Sequence, residues 1–370
     1  MTEGIKILGI ESSCDETAAA VLLDGHKILS NVVASQFDVH RKYGGVVPEL
    51  ASREHLRQIV PVVREAVSQA GLKLEELDAI GVTQGPGLVG SLLVGITYGK
   101  ILAHSLKKPL IAVNHLEGHI HAAFLEASQS GMQPKLPAVC LIVSGGHTVL
   151  YEISTGRDQE MFAYRKIGQT RDDAAGEAYD KVAKLLGFGY PGGPMLDRLA
   201  AAAGTVPAPV KFGPTKTRGN PLDFSFSGLK TAVLYHVREH PEYKEEIARR
   251  EQSLAEGRRS LDDLLPLCSP QTLGLVREFQ NAVVRDLVER TLTATEQLNV
   301  ETILVSGGVS ANRQLRETLI KRARGLQVFL PSRELCTDNA AMIAAAAFAK
   351  FCRSAFAGAD LNAVASMPLA

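Results

Sequence analysis

Twice in this chain an apolar, β-branched run stops at Ser-Gly-Gly. Residues 140–149 read Cys-Leu-Ile-Val-Ser-Gly-Gly-His-Thr-Val, and residues 303–312 read Ile-Leu-Val-Ser-Gly-Gly-Val-Ser-Ala-Asn. Paired glycines at the end of a buried strand leave backbone N–H groups open and no Cβ to hold a ligand away, which suits a phosphate or an adenine ring. One such turn is common punctuation. Two near copies predict a nucleotide held between two related halves.

The order of elements supports duplication. Strands are expected at 5–10, 18–23 and 28–35, joined by short turns as an antiparallel meander. A helix at 48–71 follows, then strand 79–83, helix 90–106, strand 110–114 and helix 115–130, a βαβα run that extends the sheet in parallel. The polar stretch 128–137 marks a boundary, giving lobes 1–135 and 136–370. The pattern restarts with strands 138–144, 148–154 and 162–167 and helices 172–186 and 194–203. A basic irregular segment spans 211–230, and a charged, solvated helical insertion occupies about 238–268. Helix 273–298, strand 302–305, helix 312–323, strand 328–330 and helix 339–352 close the second lobe, the last helix packing back near the first. Two βββαβα units predict an α/β, duplicated ribonuclease-H-like fold, as in the actin, heat-shock-chaperone and sugar-kinase ATPases, with the ligand cleft between the lobes. A chain of 370 residues is long enough for both.

Several motifs carry chemistry. His115 and His119 stand at i and i+4, one above the other on a helix face, and can share a metal ion. They follow a strand predicted parallel, where open α/β sheets bind ligands. They are not a His-Glu-x-x-His peptidase site, because Glu117 is turned about 100° from the position the general base needs. Asp338 is the best acidic third ligand, although its place before an alanine-rich helix reads first as an N-cap. Two histidines and one carboxylate make the open facial set that suits Fe(II). Cys336 alongside reads as packing. The polar turn 11–17, with Glu11 and Asp15, suits phosphates or a counter-ion. In 168–181, Asp173, Glu177 and Asp180 lie along one helical side, suited to a ribose or simply solvated. Pro191–Asp197 is a tight turn into a helix. Phe224 and Phe226 among Lys211, Lys216, Arg218 and Lys230 suit RNA or a plain loop.

Other classes are excluded. Gly85-Pro-Gly87-Leu-Val-Gly90 matches a dinucleotide fingerprint, but the next strand ends at Asn114-His115 with no acid for a ribose. Forty Lys+Arg balance forty Asp+Glu, so no global field draws nucleic acid and any such contact must be local. Five scattered cysteines without a C-x-x-C indicate neither a disulfide framework nor structural zinc. The start has no basic n-region and no apolar run is read as membrane-spanning, so a cytoplasmic protein without membrane contact is expected.

Taken together, residues 9–17, 115–119, 143–148, 172–180, 191–197, 225–231, 306–313 and 337–342 resemble the TsaD family, tRNA N6-adenosine threonylcarbamoyltransferases once labelled sialoglycoprotein endopeptidases. The resemblance implies an acyltransferase that moves the threonylcarbamoyl group of threonylcarbamoyl-AMP to N6 of adenosine 37 in tRNAs reading ANN codons. It implies His115, His119 and Asp338 as ligands of one Fe(2+), with Zn possible in vitro. It implies Ile142, Val143, Ser144, Gly145, Gly146, Asp180, Gly193, Asp197 and Asn312 as the adenylate (ATP-like) site. Residues 143–146 would face the phosphoryl and acyl end, and 306–312 the adenosine end. Glu11 and Asp15 would act near the reacting group. Implied partners are tRNA, a TsaB paralogue and the ATPase TsaE. The segment 238–268 departs from compact family members. The competing readings are an actin-type or chaperone-type ATPase or sugar kinase, which does not need the histidine pair, and a catalytically silent scaffold.

Overall fold

In a computed structural model of the chain, residues 4–156, 161–215, 217 and 219–369 are described. The first lobe holds β1 (Lys6–Glu11), β2 (Glu16–Leu23), β3 (Lys27–Ser35), β4 (Ala79–Gly85) and β5 (Leu110–Asn114), in the spatial order β3-β2-β1-β4-β5. The second holds β6 (Ala138–Val143), β7 (Thr148–Thr155), β8 (Phe162–Gln169), β9 (Thr302–Ser306) and β10 (Gln327–Phe329), in the order β8-β7-β6-β9-β10. The two orders are the same. Short turns make the first three strands of each sheet antiparallel, and helical crossovers make the last two parallel.

The Ser-Gly-Gly echo marks two adjacent strand ends of one sheet. Both copies lie in the second lobe, on neighbouring parallel strands, with Ile142 opposite Ser306. The duplication relates β6 to β1 and β9 to β4, so the echo reflects two strand ends side by side. Gly307 takes φ +92° and its Cα backs onto Val143, where a Cβ would lie 2.5 Å from the carbonyl oxygen.

Two helices join the lobes. Helix His115–Gln129 buries Ala122 and Leu125 with the first sheet, and Leu116, Ile120 and Ala123 against Cys140, Ile142 and Leu304 of the second. Helix Ala340–Phe351 belongs to the second lobe in sequence, yet it lies flat on β1 and β4 of the first. Glycine makes that contact possible: a Cβ on Gly9 would sit 2.4 Å from the Ala340 oxygen, and one on Gly81 would sit 2.6 Å from the Ala347 Cβ. The alanine-rich sequence of this helix is the other half of the fit. Gly118 does the same between helices, where a Cβ would be 2.9 Å from Ile343 Cδ1.

The dinucleotide-like glycines are explained by packing. Gly85 lies against Val364, Gly87 against the Ser13 backbone, and Gly90 against Ser52. The C-terminal tail fills the turn, Gly87 N–H donating to the Ala365 carbonyl at 3.2 Å. Helix Val89–Leu106 is long and apolar enough to cross a bilayer by length and composition, contrary to the expectation that no such run exists. Here it covers β4, with Gly99 against Val82.

The helix expected from residue 172 begins at Ala175, because the Asp172 carboxylate is spent elsewhere: it accepts from Phe226 N–H (2.8 Å) and Ser227 Oγ (2.7 Å) at the start of helix Ser227–Glu239. The charged segment near 238–268 is more than a solvated appendage. Arg250 of helix Glu242–Ala255 is fully buried, donating to the carbonyls of Leu186 (2.8 Å) and Leu267 (3.0 Å). Phe224 and Phe226 are buried and stacked at 6.0 Å, so they offer no platform to RNA; Lys216 and Arg218 lie outside the described residues.

A larger side chain under the alanine helix should lift it off the sheet. Gly9→Val is expected to destabilise the fold by about 1–3 kcal/mol through overpacking, seen as a lower urea midpoint.

Candidate functional site

The histidine helix starts directly at the end of β5. Asn114 caps it, its Oδ1 accepting from Leu116 N–H at 2.9 Å. His115 and His119 then point across the lobe boundary, with ring centroids 4.7 Å apart. Asp338 arrives from the second lobe, its Oδ1 3.3 Å from His119 Nε2 and 3.6 Å from His115 Nε2. It is free to do so because it is not the helix cap expected from its position. Asn339 caps helix Ala340–Phe351, its side chain accepting from Met342 N–H at 3.1 Å.

Behind His115 stands Glu11, fully buried at the end of β1. Its Oε2 accepts from His115 Nδ1 (2.9 Å) and from Thr83 Oγ1 (2.9 Å), and its Oε1 accepts from Ser13 N–H (2.6 Å). Ser13 Oγ also lies 3.2 Å from His115 Nδ1. Glu11 was expected near the reacting group. Its oxygens are instead occupied in orienting a ring, holding the Nδ1 proton and turning Nε2 toward Asp338.

His119 shows what the arrangement is suited to hold. The ring is fully buried; its Nδ1 has no hydrogen-bond partner, and its Nε2 faces only Asp338 Oδ1 at 3.3 Å without a well-aligned bond. An imidazole left like this costs on the order of 1–3 kcal/mol. Its Nε2, the His115 ring and an Asp338 oxygen present ligand atoms within 4.8 Å of one another. Two imidazoles and a carboxylate, one imidazole oriented from behind by Glu11, fit a divalent first-row metal with coordination positions left open.

Electrostatics couple the set. Burial opposes charge on His115, but Asp338 and Glu11 outweigh it and lift the ring to about 9. Burial also works against the Asp338 carboxylate, yet His115 and His119 hold it well below the usual range. His147, missed in the sequence, stands 6.4 Å from His115 by ring centroids. Burial, with His115 and His119 beside it, lowers it to about 4. The only available signal was its place directly after the first Ser-Gly-Gly.

Facing this group is the turn between β1 and β2. Its carbonyls are tied back to the scaffold: Ser13 O accepts from Leu88 N–H (2.8 Å), Cys14 O from His55 Nε2 (3.0 Å) and Asp15 O from Gln36 N–H (2.9 Å). The Asp15 side chain is half-buried beside Glu16, whose carboxyl is pushed well above its ordinary range by burial, then by Asp15 and Asp338.

On the opposite wall, Gly145 and Gly146 are exposed, with open space where a Cβ would be. Ser144 closes their turn, its Oγ accepting from His147 N–H at 3.1 Å. Ile142 and Val143 were expected in the site, but both side chains are buried in the core, so only their backbone lies near it. Asp180 accepts from Gly192 N–H at 2.6 Å, and burial lifts it to about 6 against the pull of the Gly192 and Gly193 amides. Gly193 faces open space. Asp197 and Asn312 meet through Gln280, whose Nε2 donates to Asp197 (3.1 Å) and whose Oε1 accepts from Asn312 Nδ2 (2.9 Å). Gln280 was not singled out from sequence; it is a polar residue on the buried face of helix Pro270–Leu298.

The arrangement therefore places a metal-type ligand set at one end of a cleft, a glycine turn beside it, and a polar network suited to a nucleoside at the other end. Known proteins bear on this geometry. Residues 27–345 match the family model described as TsaD, tRNA N6-adenosine threonylcarbamoyltransferase. Relatives of that name are 55% identical in Koribacter versatilis (strain Ellin345), covering 98% of both chains, and 50% identical in Anaeromyxobacter sp. (strain Fw109-5), covering 97% of this chain and 98% of the relative. HypF from T. kodakarensis has a similar fold over 97% of this chain and 49% of its own, with TM-score 0.55 at 14% identity.

The ligand set predicts a divalent metal that depends on His119 and Asp338. Elemental analysis of purified protein is expected to find close to one metal per chain, lost in His119→Ala and Asp338→Asn and retained in His147→Ala.

Proposed function

The chain belongs to the TsaD family of tRNA N6-adenosine threonylcarbamoyltransferases, and from that premise we propose how its cleft carries out the transfer, with threonylcarbamoyl-AMP as donor and Fe(2+) as metal. It is an acyltransferase that modifies tRNA, forming threonylcarbamoyladenosine at position 37. The observation that carries the mechanism is the buried His119 with no well-aligned hydrogen bond, its Nε2 set 3.3 Å across from Asp338 at the lobe boundary.

The donor's adenosine lies along the Asp197–Gln280–Asn312 network, with Asp180 and Gly193 at its ribose. Its phosphate meets the amides of Gly145 and Gly146, where no Cβ intervenes. The acyl end then falls beside His115, His119 and Asp338. A metal held there would act as a Lewis acid on the acyl or phosphate oxygens. The adenine N6 attacks the carbamoyl carbon, the bond to the phosphate oxygen breaks, and AMP leaves. Asp15 is the carboxylate assigned to receive the N6 proton. The exocyclic amine of adenine is a weak nucleophile, so positioning and charge stabilisation supply most of the acceleration.

Protein partners of the TsaB and TsaE type fit a second feature. Gly90 lies against Ser52, and one turn further along each helix Leu56 and Leu93 are exposed, joined by Val60 and Val89. Such a paired-helix apolar face suits a partner with a matching one.

Incubation with tRNA, ATP, threonine, bicarbonate and active partner proteins, followed by nucleoside mass analysis, is expected to show the modified adenosine. No product with active partners would sink the reading. In the same assay Asp15→Asn should lower kcat by about 10²-fold or more. Leu93→Asp should abolish co-elution with the TsaB-type partner while leaving the metal content unchanged; unaltered co-elution would remove this face as the contact.

A further inference from the structure

The overall charge balance leaves open where an RNA backbone could rest. The cleft itself repels phosphates at its inner turn, where Glu11, Asp15 and Glu16 of the first lobe meet Asp338 of the second. Phe224 and Phe226, aromatics of the basic segment, are buried and cannot stack on bases. A groove of about 340 Å³ opens at the cleft edge, bridging the lobes. Its walls carry Arg41, Lys42 and Tyr43 from the first lobe and Lys184, Tyr190 and Glu251 from the second.

Four observations give this groove its chemistry. Lys42 and Lys184 are exposed and form no ion pair among the described residues. The Lys184 Nζ reaches across to Gly44, 3.2 Å from where a Cβ would stand, so the glycine leaves room for the cation and anything it binds. Arg41 is bonded to Asp38 through Nη1 at 3.1 Å, but its buried Nε has no partner. Tyr43 is 58% exposed, and nearby the Arg41 guanidinium lies 5.7 Å over Phe37, whose ring stacks on Tyr190 at 6.0 Å.

The groove also has the right neighbour. Tyr190 is followed by Pro191–Gly193, the turn whose amide holds Asp180. Burial and then the charges of Asp15 and Asp180 raise the Tyr190 hydroxyl strongly, which marks it as standing at the edge of the acidic cleft. An RNA whose adenine enters an acidic cleft must keep its phosphates outside, on cations at the rim. A single-stranded loop, with bases free to stack on aromatic side chains, is the form that such a groove takes.

We infer that this rim groove receives the anticodon-loop backbone beside the modified adenosine, with Lys42 and Lys184 on phosphates and Tyr43 stacking on a neighbouring base. The inference rests on tRNA being the acceptor. The test is fluorescence anisotropy of a labelled, unmodified anticodon stem-loop RNA with the full chain across a salt series. For Lys42→Glu/Lys184→Glu the expected result is an affinity loss of at least about tenfold and a salt slope shallower by about 1–2. Tyr43→Ala should lose about tenfold with the slope unchanged. Lys321→Glu, on a distant surface helix, and ATP binding by every variant should stay as in the parent chain. If the parent binds and modifies the RNA while the double lysine variant matches it in affinity and slope, the groove assignment is wrong and the acceptor reading stands. If the parent does not bind the RNA here and, with ATP, threonine, bicarbonate and active partners supplied, does not modify it, both fall.

Discussion

The close contact between an alanine-rich helix and the glycines of another lobe's sheet is the constraint on which the rest depends. Helix Ala340–Phe351 can lie on β1 and β4 only because Gly9 and Gly81 lack side chains there. That contact brings the loop before the helix, and with it Asp338, to the histidine helix. Gly118 then lets the two helices cross closely. The metal-type site is thus made of two lobes, and its geometry is set by backbone approach rather than by the ligands' own attraction. Interiors are close-packed, so displacing this interface by even a methyl group is felt at the ligands.

Around that contact the charge is sorted by depth. Acidic side chains line the inner turn, where Glu11 is spent on orienting His115 and Asp15 faces the cleft. On the nucleotide side stand glycine amides and Gln280, with the carboxylates of Asp180 and Asp197 each accepting protein hydrogen bonds. At the rim stand Lys42 and Lys184, without an ion pair among the described residues. A donor anion and an acceptor RNA both carry phosphate, and this sorting gives the two different places to rest.

Much of the site was legible because its signals are local. An i, i+4 histidine pair after a predicted strand, and an aspartate before an alanine-rich helix, are read within a few residues. What failed was the assignment of partners over distance. Asp338 looked like a cap until Asn339 was seen to fill that role. Asp172 looked like the start of its own helix until it was seen capping another, more than fifty residues away. Gln280 and His147 gave almost no signal, since a polar residue on a buried helix face or after a turn acquires a role only from what packs against it.

The sequence by itself determined the order of strands and helices and the two equal sheets, because periodicity and turn residues act over short stretches. It also carried enough family-wide pattern to identify the chemistry. Tertiary structure alone decided that the two Ser-Gly-Gly turns, both in the second lobe, end adjacent parallel strands. It decided that Glu11 stands behind a ligand, and that a neutral chain has a local basic rim. Those facts depend on which distant surfaces meet, and a linear pattern does not record the distance between two residues that the fold brings together.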